Sequence, residues 1–433
     1  MVNWRKPLIY VLSFLQGSNR MKYYNQIIEY SKLSEDKLKD LQEDKLKKLL
    51  LHSYENVPYY TEVLEESGVV KKGKVYLENF KNIPILTKEI LRSQKDSMLS
   101  KDYQSRKPFE NTSGGSTGEP VKFIQDREYD DWNVANKMYY RYVAGQGIGE
   151  KELRFWGSER DLLEGKETLE MRFRNFIFNR KEFNTFKMSK KEMRRYVDEW
   201  NEYKPHWVES YVQSMFEFSK FINDNNLDIY SPDNGILTSA GTLIDEARSL
   251  IENVFLCDVY NRYGSREVGD MACGKDELRL SVWNHYVEII DSKIYVTLLT
   301  NYSMPLIRYE IGDVGEFGER WDYIKAVKGR INSVLRTKSR TVDGAAVTSM
   351  FYYRKDGSLF GSFSKYQVIQ ESIDRIRIKV VVKDRELWEE EREEIRHLFG
   401  EVFGEDVDIE FEIVEDIEPS KSGKYLYVIS KIQ

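Results

Sequence analysis

The sequence predicts an α/β protein with a large N-terminal domain of mainly parallel sheets and helices, and a small α+β C-terminal domain. The first observation is that helix-like stretches alternate with short β-rich runs in the middle of the chain. Helical patterns at 193–203 and 212–223 are each followed by such a run, at 207–208 and 235–238. This alternation favours βα units, whose consecutive strands run parallel in one sheet.

The second observation is a change of pattern after about Gly329. Strand-like segments at 366–370 and 375–382 precede a highly charged helix at 386–399, and an alternating strand follows at 407–414. A unit of about 100 residues has the size of a separate domain. We therefore predict three parts, which are an N-terminal helical part of the large domain at 1–100, the core of the large domain at 101–330, and the small C-terminal domain at 331–433.

The N-terminal part is predicted to be helical. Leucines at 34–51 approximate an apolar helix face, with Ser34 at the helix start. The apolar run at 7–15 follows Arg5 and Lys6, but it is too short to span a bilayer and no small-residue cleavage site follows it. A packed helix is expected there, with peripheral membrane contact as the alternative. We expect no transmembrane segment and a cytoplasmic location.

Composition favours a globular protein that acts on small molecules. The 433 residues are 41% hydrophobic, and 66 Lys and Arg against 72 Asp and Glu give a net charge of −6. This balance argues against a basic surface for nucleic acid. The two cysteines, Cys257 and Cys273, are too few for a disulfide framework and fit a reducing compartment. Neither lies in a Cys/His pattern typical of a nucleophile, so we expect buried free thiols.

A glycine-rich segment at 111–120 is the most informative feature. Its glycines allow sharp backbone turns with exposed N–H groups, and its hydroxyls add donors that suit phosphate oxygens. The candidate phosphate-binding residues are Ser113, Gly114, Gly115, Ser116, Thr117, Gly118 and the following Lys122. The segment is not the P-loop of nucleoside triphosphatases, because no Gly-Lys-Ser/Thr follows the glycines. An ordinary Gly/Ser loop is the alternative.

Further motifs follow in a fixed order. They are Asn261-Arg262-Tyr263-Gly264-Ser265-Arg266-Glu267, the segment 304–313 ending in Ile311-Gly312-Asp313, Gly329-Arg330, and Pro419-Ser420-Lys421-Ser422-Gly423-Lys424. With these motifs the chain resembles the adenylate-forming superfamily of acyl- and aryl-CoA ligases over nearly its whole length. It is most similar to the short phenylacetate-coenzyme A ligase branch, which includes proteins associated with capsular polysaccharide synthesis. The segment 49–60 also resembles the opening of that branch.

The resemblance implies that ATP and Mg²⁺ activate a carboxylic acid as an acyl-AMP, with release of pyrophosphate. The segment from Ser113 to Gly118 would wrap the β- and γ-phosphates. Glu267 matches the family's magnesium ligand, a role that suits an oxygen donor, and an exposed helix carboxylate is the alternative. Asp313 would accept hydrogen bonds from the ribose hydroxyls, or else be a turn residue after Gly312.

The same resemblance implies further nucleotide contacts. Tyr263 and Gly241 would flank the adenine, with Gly264 and Ser265 beside them, and Arg330 would lie near the ribose and phosphate at the domain junction. Arg308 is a weaker candidate, for which a surface salt bridge is the alternative.

Lys424 matches the catalytic lysine of the family, which bridges the carboxylate and the α-phosphate. A point cation there stabilises the charge that builds during attack, and a solvated lysine is the alternative. The small domain that carries it rotates in relatives, so we expect it to be mobile. Three positions depart from the common pattern: Asn332 at the hinge, Thr242 where many relatives have Glu, and Glu119 where Lys is common.

The acid and the acceptor are less constrained. We expect the acid pocket to be formed by the segment 206–214 and by residues that flank Gly241 and Gly264, with His206 and Tyr211 as lining candidates. A satisfied histidine is the alternative for His206. Coenzyme A is the default acceptor, and an amine on an amino sugar or amino acid is the alternative, since an acyl-AMP reacts with either nucleophile. A degenerate homologue acting as a scaffold is the non-enzymatic alternative. Cys273 and His285 are too few for a zinc site, so we expect no structural zinc.

Overall fold

The computed structural model describes residues 3–112, 121–156, 169–185, 188, 190–330, 335–338, 341–342, 347, 350–351, 360–404, 406–418 and 426–432. Over these residues a large mixed sheet forms the centre of the fold, and a separate four-stranded sheet lies in the C-terminal part. Among them no helix is both long enough and apolar enough to cross a membrane.

The large sheet has the strand order β12-β13-β14-β15-β11-β10-β9-β8-β7-β5-β6. Its strands are β5 (Glu152–Trp156), β6 (Arg180–Asn184), β7 (Trp207–Tyr211), β8 (Ile236–Ser239), β9 (Val259–Ser265), β10 (Gly269–Gly274), β11 (Leu278–Leu280), β12 (His285–Ile290), β13 (Lys293–Leu298), β14 (Tyr309–Phe317) and β15 (Tyr323–Arg330). The strands from β6 to β9 pair in parallel. From β9 to β12 all neighbours pair antiparallel.

This arrangement confirms the predicted α/β class, and parallel pairing is confined to one half of the sheet. The parallel half is where helices separate consecutive strands, as the alternation in the sequence predicted. In the antiparallel half the connections are short, and a short connection can only reverse the chain. The two residues between β12 and β13 are an example, because Asp291 and Ser292 both adopt positive φ angles, 50° and 62°.

Helices cover both faces of the parallel half. They are α6 (Arg127–Val143), α7 (Leu169–Phe178), α8 (Lys190–Tyr203), α9 (Val212–Asp224) and α10 (Asp245–Phe255). The predicted helices at 193–203 and 212–223 are confirmed as α8 and α9. Side chains of α8, α9 and α10 pack with one face of β5, β7, β8 and β9 in a single apolar cluster. The opposite face packs against α6 and the N-terminal helices.

The N-terminal part is helical, as predicted. Its helices are α1 (Arg5–Leu15), α2 (Arg20–Tyr30), α3 (Glu35–Asn56), α4 (Pro58–Glu66) and α5 (Lys88–Ser93), and the short strands β1 (Val70–Lys71) and β2 (Lys74–Val75) form a hairpin. Proline suits the first helical position of α4, because its missing N–H would have no partner there. The leucine face of α3 is buried, with Leu46, Leu49 and Leu50 packed on the side of β12 to β14.

The glycine-rich segment connects a second hairpin. Strand β3 (Phe109–Thr112) pairs antiparallel with β4 (Lys122–Gln125), and Thr112 is the register partner of Lys122. Residues 113–120 lie outside the described residues. Directly after β4, Asp126 caps α6, since its Oδ1 accepts a hydrogen bond from the Tyr129 N–H at 2.9 Å.

The C-terminal part has its own sheet and its own apolar core. The sheet has the order β20-β19-β18-β21 and carries the helix α11, with bounds β18 (Phe363–Ser372), β19 (Arg375–Val382), α11 (Arg385–Phe403), β20 (Asp408–Ile413) and β21 (Val428–Ser430). Two short strands precede it, β16 (Leu335–Arg336) and β17 (Thr341–Val342). Trp388, Ile395 and Phe399 of α11 pack on the inner side of β18 and β19. The predicted α+β unit is therefore confirmed as a separately cored unit.

Candidate active site

The carboxyl ends of the parallel strands meet at one edge of the large sheet, where α/β folds bind ligands. Tyr211 ends β7, Gly241 lies just beyond β8, and Gly264 and Ser265 end β9. The strands pair in register, so these residues lie side by side at this edge. The structure thus brings together four of the predicted site residues.

Glycine is required at position 264. A Cβ atom there would lie 2.3 Å from the Gly269 carbonyl oxygen and 2.6 Å from the Asp270 Cα. No side chain fits this close approach, which joins the end of β9 to the start of β10. The turn between the strands carries Arg266 and Glu267, so the Tyr-Gly-x-x-Glu pattern is a tight strand-turn-strand unit.

Tyr263 and Asp313 are 50 residues apart in the sequence and are hydrogen-bonded in the structure. The Tyr263 hydroxyl donates to Asp313 Oδ2 at 2.7 Å. Gly312, with φ of +86°, precedes Asp313 on β14, and a β-bulge follows. Asp313 is the register partner of Arg330 at the end of β15. A side-chain hydrogen bond and a strand pairing therefore link three of the predicted nucleotide-contact residues.

Hydrogen bonds hold the hairpin of β3 and β4, which the glycine-rich segment connects, against the turn that carries Glu267. We name it the glycine-rich hairpin. Gln125 Nε2 of β4 donates to the carbonyl oxygens of Arg266 and Glu267, at 3.0 and 3.3 Å. Gln125 Oε1 accepts from Asn111 Nδ2 of β3 at 3.0 Å. Asn111 and Gln125 thus link both hairpin strands to the Glu267 turn. The sequence analysis missed Gln125, because nothing in its local context predicts a partner 141 residues away.

A second link fixes the segment before Asp313 to the same hairpin. The Asp126 carboxylate, which is fully buried, accepts from both the backbone N–H and the hydroxyl of Ser303 through Oδ2, at 3.1 and 2.9 Å. Asn301 Nδ2 donates to the Ile124 carbonyl at 2.9 Å. The residues that precede the Met304 to Asp313 motif are therefore held against the end of β4.

Glu267 is a buried carboxylate, 5% exposed, and not the exposed helix residue of the alternative interpretation. It lies near Tyr129, whose pKa is raised strongly by burial and further by the nearby Asp270 and Glu267 charges. Within the described part of the chain, no group of three or more His, Cys, Asp or Glu side chains could hold a metal. A single carboxylate fits Mg²⁺, which commonly takes one or two carboxylates together with substrate phosphates.

A buried charge network lies beneath the site edge, and we name its central members, Arg154, Glu209 and Arg262, the charged floor. Glu209 Oε1 lies 2.8 Å from Arg262 Nη1, and Glu209 Oε2 lies 3.0 Å from Arg154 Nε. Arg262 also contacts Asp270, at 3.2 Å, and Arg141 of α6 contacts Glu209, at 2.8 Å. The sequence analysis missed this network, although charged residues inside β-rich runs were a usable signal.

Glu209 and Arg262 of the charged floor are held in their charged forms by their neighbours. Burial alone would raise the pKa of Glu209, but the neighbouring Arg141, Arg154 and Arg262 outweigh it and hold the pKa well below its ordinary value. Burial opposes the charge on Arg262, and Asp270 and Glu209 reverse this effect and raise its pKa. The floor therefore keeps fixed charges at the base of the edge that Tyr211 and Gly241 form.

His206 and Tyr211 do not lie together, contrary to the expectation of one pocket lined by both. His206 precedes β7 and Tyr211 ends it, so about 16 Å of extended chain separates them. His206 is 3.5 Å from Asp233 at the amino-terminal edge of the strands. Tyr211 is at the carboxyl edge, where its ring packs on Trp156 with centroids 4.2 Å apart. The proposed pocket keeps Tyr211 and omits His206.

Two predicted cations are engaged in ion pairs. Arg308 forms a bidentate pair with Glu288, at 2.9 and 3.1 Å, and its Nη1 donates to the carbonyls of Lys81 and Ile83. The pair is buried and not at the surface as the alternative had it. A nucleotide role for Arg308 stays a prediction. Lys122 Nζ lies 2.9 Å from Glu110 on the exposed side of the hairpin.

Several predicted residues cannot be placed. Residues 113–118 of the phosphate segment, Glu119, Asn332 and Lys424 lie outside the described residues. Two residues after Lys424, the Leu426 carbonyl accepts a hydrogen bond from Gln367 Nε2 at 2.8 Å. Their predicted roles stay predictions.

Cys273 and His285 are buried packing groups, and Cys257 is partly buried against the apolar cluster of α8, α9 and α10. Burial raises the pKa of both Cys257 and Cys273 to about 12, so neither is a ready nucleophile. His285 Nε2 donates to the Val268 carbonyl at 2.7 Å, and its Nδ1 accepts from the Ser281 hydroxyl at 2.8 Å. Burial lowers the pKa of His285 to about 4.

The chain is similar to several known proteins. Residues 340–431 match the CapK C-terminal domain family. Protein CapK of Staphylococcus aureus is 22% identical over 435 residues, which cover 97% of this chain and 95% of that protein. Phenylacetate-coenzyme A ligase of Thermus thermophilus is 37% identical over 119 residues, 28% of this chain and 26% of that protein.

The same fold occurs in a crystal structure of 2-hydroxyisobutyryl-CoA ligase in the postadenylation state, in complex with 2-HIB-AMP. The TM-score is 0.67 at 16% identity, with 93% of this chain and 91% of that chain covered. Fold, motif order and sequence similarity together define a ligase of the adenylate-forming superfamily. Within it, the chain is similar to protein CapK over nearly its whole length and to phenylacetate-coenzyme A ligase over 119 residues.

Proposed function

We propose that the protein uses ATP to activate a carboxylic acid as an acyl-AMP, releasing pyrophosphate, and then transfers the acyl group to coenzyme A. The observation that carries the proposal is the hydrogen bond from Tyr263 to Asp313, with Arg330 as the register partner of Asp313. It joins three motifs distant in sequence beside the edge where the parallel strands end.

In the proposed site, the nucleotide lies along the β9 edge. Asp313 has two carboxylate oxygens, and Tyr263 donates to Oδ2. The hydrogen bond orients the carboxylate, which then accepts from the ribose hydroxyls with little rearrangement. The adenine packs between Tyr263 and the open backbone at Gly241, which is exposed and has no side chain to obstruct a flat ring.

The phosphates extend from the ribose towards the glycine-rich hairpin. Asn111 and Gln125 hold that hairpin against the Glu267 turn, so the donors of Ser113 to Gly118 and the Glu267 carboxylate would act on one polyphosphate. Mg²⁺, when bound, would neutralise phosphate charge. Lys424 would stabilise the charge that builds as the acid carboxylate attacks the α-phosphorus and pyrophosphate leaves.

The acid would occupy the edge between Tyr211 and Gly241, above the charged floor. Arg154 lies 4.8 Å from the centroid of the Trp156 ring, which packs on Tyr211. A pocket that ends on fixed charges favours a short acid with polar groups over a long alkyl chain, because burying charge against alkyl groups is unfavourable. We therefore propose a small hydroxylated or otherwise polar carboxylic acid.

Acid-dependent exchange of radiolabelled pyrophosphate into ATP tests the first half-reaction. We expect exchange with at least one small polar acid. Lys424→Ala should lower exchange at least about 100-fold, a size typical of removing one transition-state charge contact. Lys431→Ala is the matched control, because this exposed lysine of the same terminal segment pairs with Glu371 and should leave the rate unchanged.

The result that contradicts the proposal is full exchange by the Lys424→Ala variant, or no exchange by the wild type with any acid although ATP binds. The latter would favour the scaffold alternative. For the second half-reaction, purified acyl-AMP is offered coenzyme A in one assay and an amino sugar or amino acid in another. Thioester formation supports the proposed acceptor, and amide formation without thioester would replace it by the amine.

A further inference from the structure

Helix α1 is apolar on both of its faces. Its inner face is buried, with Ile9 and Ser13 covered and Leu8 and Leu12 packed against the core. The outer face also carries apolar side chains, at a spacing of three or four residues that aligns them on one stripe. Phe14 is 80% exposed and Leu15 is 73% exposed, and Val11 and Trp4 are exposed on the same stripe.

Helix α7 extends this outer stripe. Its Phe173 and Phe176, three residues apart, are 63% and 60% exposed. The rings of Trp4 and Phe176 have centroids 6.2 Å apart. The Arg5 guanidinium lies 4.5 Å from the Trp4 ring centroid and 5.5 Å from that of Phe176, and its Nε donates to the Phe176 carbonyl. The two helices therefore present one continuous apolar surface.

Basic side chains border this surface. Lys6 is exposed beside the stripe of α1, and Arg172 and Arg174 are exposed on either side of Phe173. Residues 3–28 contain no Asp or Glu, and helix α7 contains one, Glu170, at its amino-terminal end. We name the combined surface of Trp4, Val11, Phe14, Leu15, Phe173 and Phe176 with Lys6 and Arg174 the basic aromatic face.

We infer that the basic aromatic face binds the surface of a bilayer that contains anionic phospholipid. Exposed aromatic and aliphatic side chains on surface helices insert at the headgroup level, and basic residues beside them attract the anionic headgroups. A second copy of the chain is a poorer occupant, because facing copies would bring Lys6, Arg172 and Arg174 of each together. The geometry thus points to one occupant, a lipid surface.

The test is sedimentation of the full-length protein with two kinds of vesicle, phosphatidylcholine alone and phosphatidylcholine mixed with phosphatidylglycerol. We expect binding to the mixed vesicles that weakens as salt is added, since the attraction is electrostatic. Phe14→Ser combined with Phe173→Ser should lower the partition coefficient at least tenfold. Lys6→Glu combined with Arg174→Glu should abolish the preference for the anionic vesicles.

Leu256→Ser is the matched control, because Leu256 is 78% exposed but stands at the end of α10, away from both helices. It should bind vesicles as the wild type does. Thermal melting and pyrophosphate exchange in vesicle-free buffer should be unchanged in all variants, which separates this inference from the proposed ligase activity. The inference is overturned if the wild-type protein binds neither kind of vesicle, or if all variants bind the vesicles equally. A dimer that Phe14→Ser dissociates, without vesicle binding, also overturns it in favour of a second copy.

Discussion

The two faces of the parallel strands bury their side chains in different ways. On the side of α8, α9 and α10, the strands place Leu153, Phe155, Val208 and Ile236, none of which is exposed to solvent. On the side of α6, the alternate positions of the same strands carry the charged floor. Apolar burial is non-directional, whereas each buried charge needs a partner in a defined place.

The two faces therefore contribute differently to the stability and to the site. The apolar face supplies the driving force for folding and tolerates exchange of one aliphatic residue for another. The charged face gains little net free energy from its ion pairs, because desolvation offsets the attraction. It fixes side-chain positions directly beneath the proposed acid pocket. The predictions below test this division of roles, in order of decreasing effect.

The largest effect is expected from Glu209→Gln. This change removes one charge of the floor and leaves Arg154 and Arg262 facing a neutral amide, which should lower the free energy of unfolding by about 3–5 kcal/mol. Urea unfolding followed by tryptophan fluorescence measures it. Glu182→Gln is the control, because Glu182 is partly exposed and 3.9 Å from Arg154; we expect about 0–1 kcal/mol. An equal decrease in the free energy of unfolding in both variants would contradict the distinction between the two faces.

His285 sharpens the rule, since it is buried and its hydrogen bonds go to two uncharged groups, the Val268 carbonyl and the Ser281 hydroxyl. Burial lowers its pKa to about 4 in the folded protein from 6.5 when unfolded. Below pH 6.5 the unfolded chain therefore binds a proton that the folded protein does not, and stability falls as the pH decreases towards 4. The loss should approach roughly 3 kcal/mol.

Urea unfolding across this pH range measures the effect. In the His285→Gln variant, the part of the acid-induced loss that comes from this residue should disappear, although the variant is less stable at neutral pH. An unchanged slope in His285→Gln would show that the acid sensitivity has another origin.

On the apolar face, Ile236→Val should have a modest effect. Ile236 is fully buried between β7 and β9, and removal of one methylene leaves a small cavity that costs about 1 kcal/mol. Ile290→Val is the matched control at the end of β12, where the side chain is partly exposed, and its effect should be close to zero. A loss for Ile236→Val as large as that for Glu209→Gln would remove the distinction between the faces.

Local patterns in the sequence predicted the elements well. The helix predicted at 386–399 is found at 385–403, and the strand predicted at 375–382 has those bounds. Periodicity reports which residues of an element face the core, and this is a local property. The antiparallel half of the large sheet was not predicted, because strand direction there depends on short turns and on partners far along the chain.

The site was predicted where motifs have a fixed order and missed where partners are distant. Tyr263 and Asp313 were named separately, and only the structure shows their hydrogen bond. Arg262 stands beside Tyr263 in the same motif, yet its role depends on Glu209, 53 residues earlier. His206 was grouped with Tyr211 by proximity in sequence, but an extended strand carries its two ends to opposite edges of a sheet.

The smallest effect is expected from Tyr263→Phe, which removes the hydroxyl that orients Asp313 while keeping the ring beside the proposed adenine. Loss of one hydrogen bond to a carboxylate that stays hydrated is worth about 1 kcal/mol or less. The KM for ATP should therefore rise up to roughly fivefold, with kcat nearly unchanged, because ribose binding is uniform along the reaction. Pyrophosphate exchange at varied ATP concentration measures both constants.

Tyr260→Phe is the control on the same strand, since Tyr260 lies on the side of the α6 core and before the site edge. Its KM for ATP should equal that of the wild type. A lowered kcat with an unchanged KM in Tyr263→Phe would place the hydroxyl at the reacting atoms, and the ribose assignment of Asp313 would then be wrong. Strand β9 carries both Arg262 of the charged floor and Tyr263 of the proposed nucleotide site, so this strand joins the floor to the proposed site.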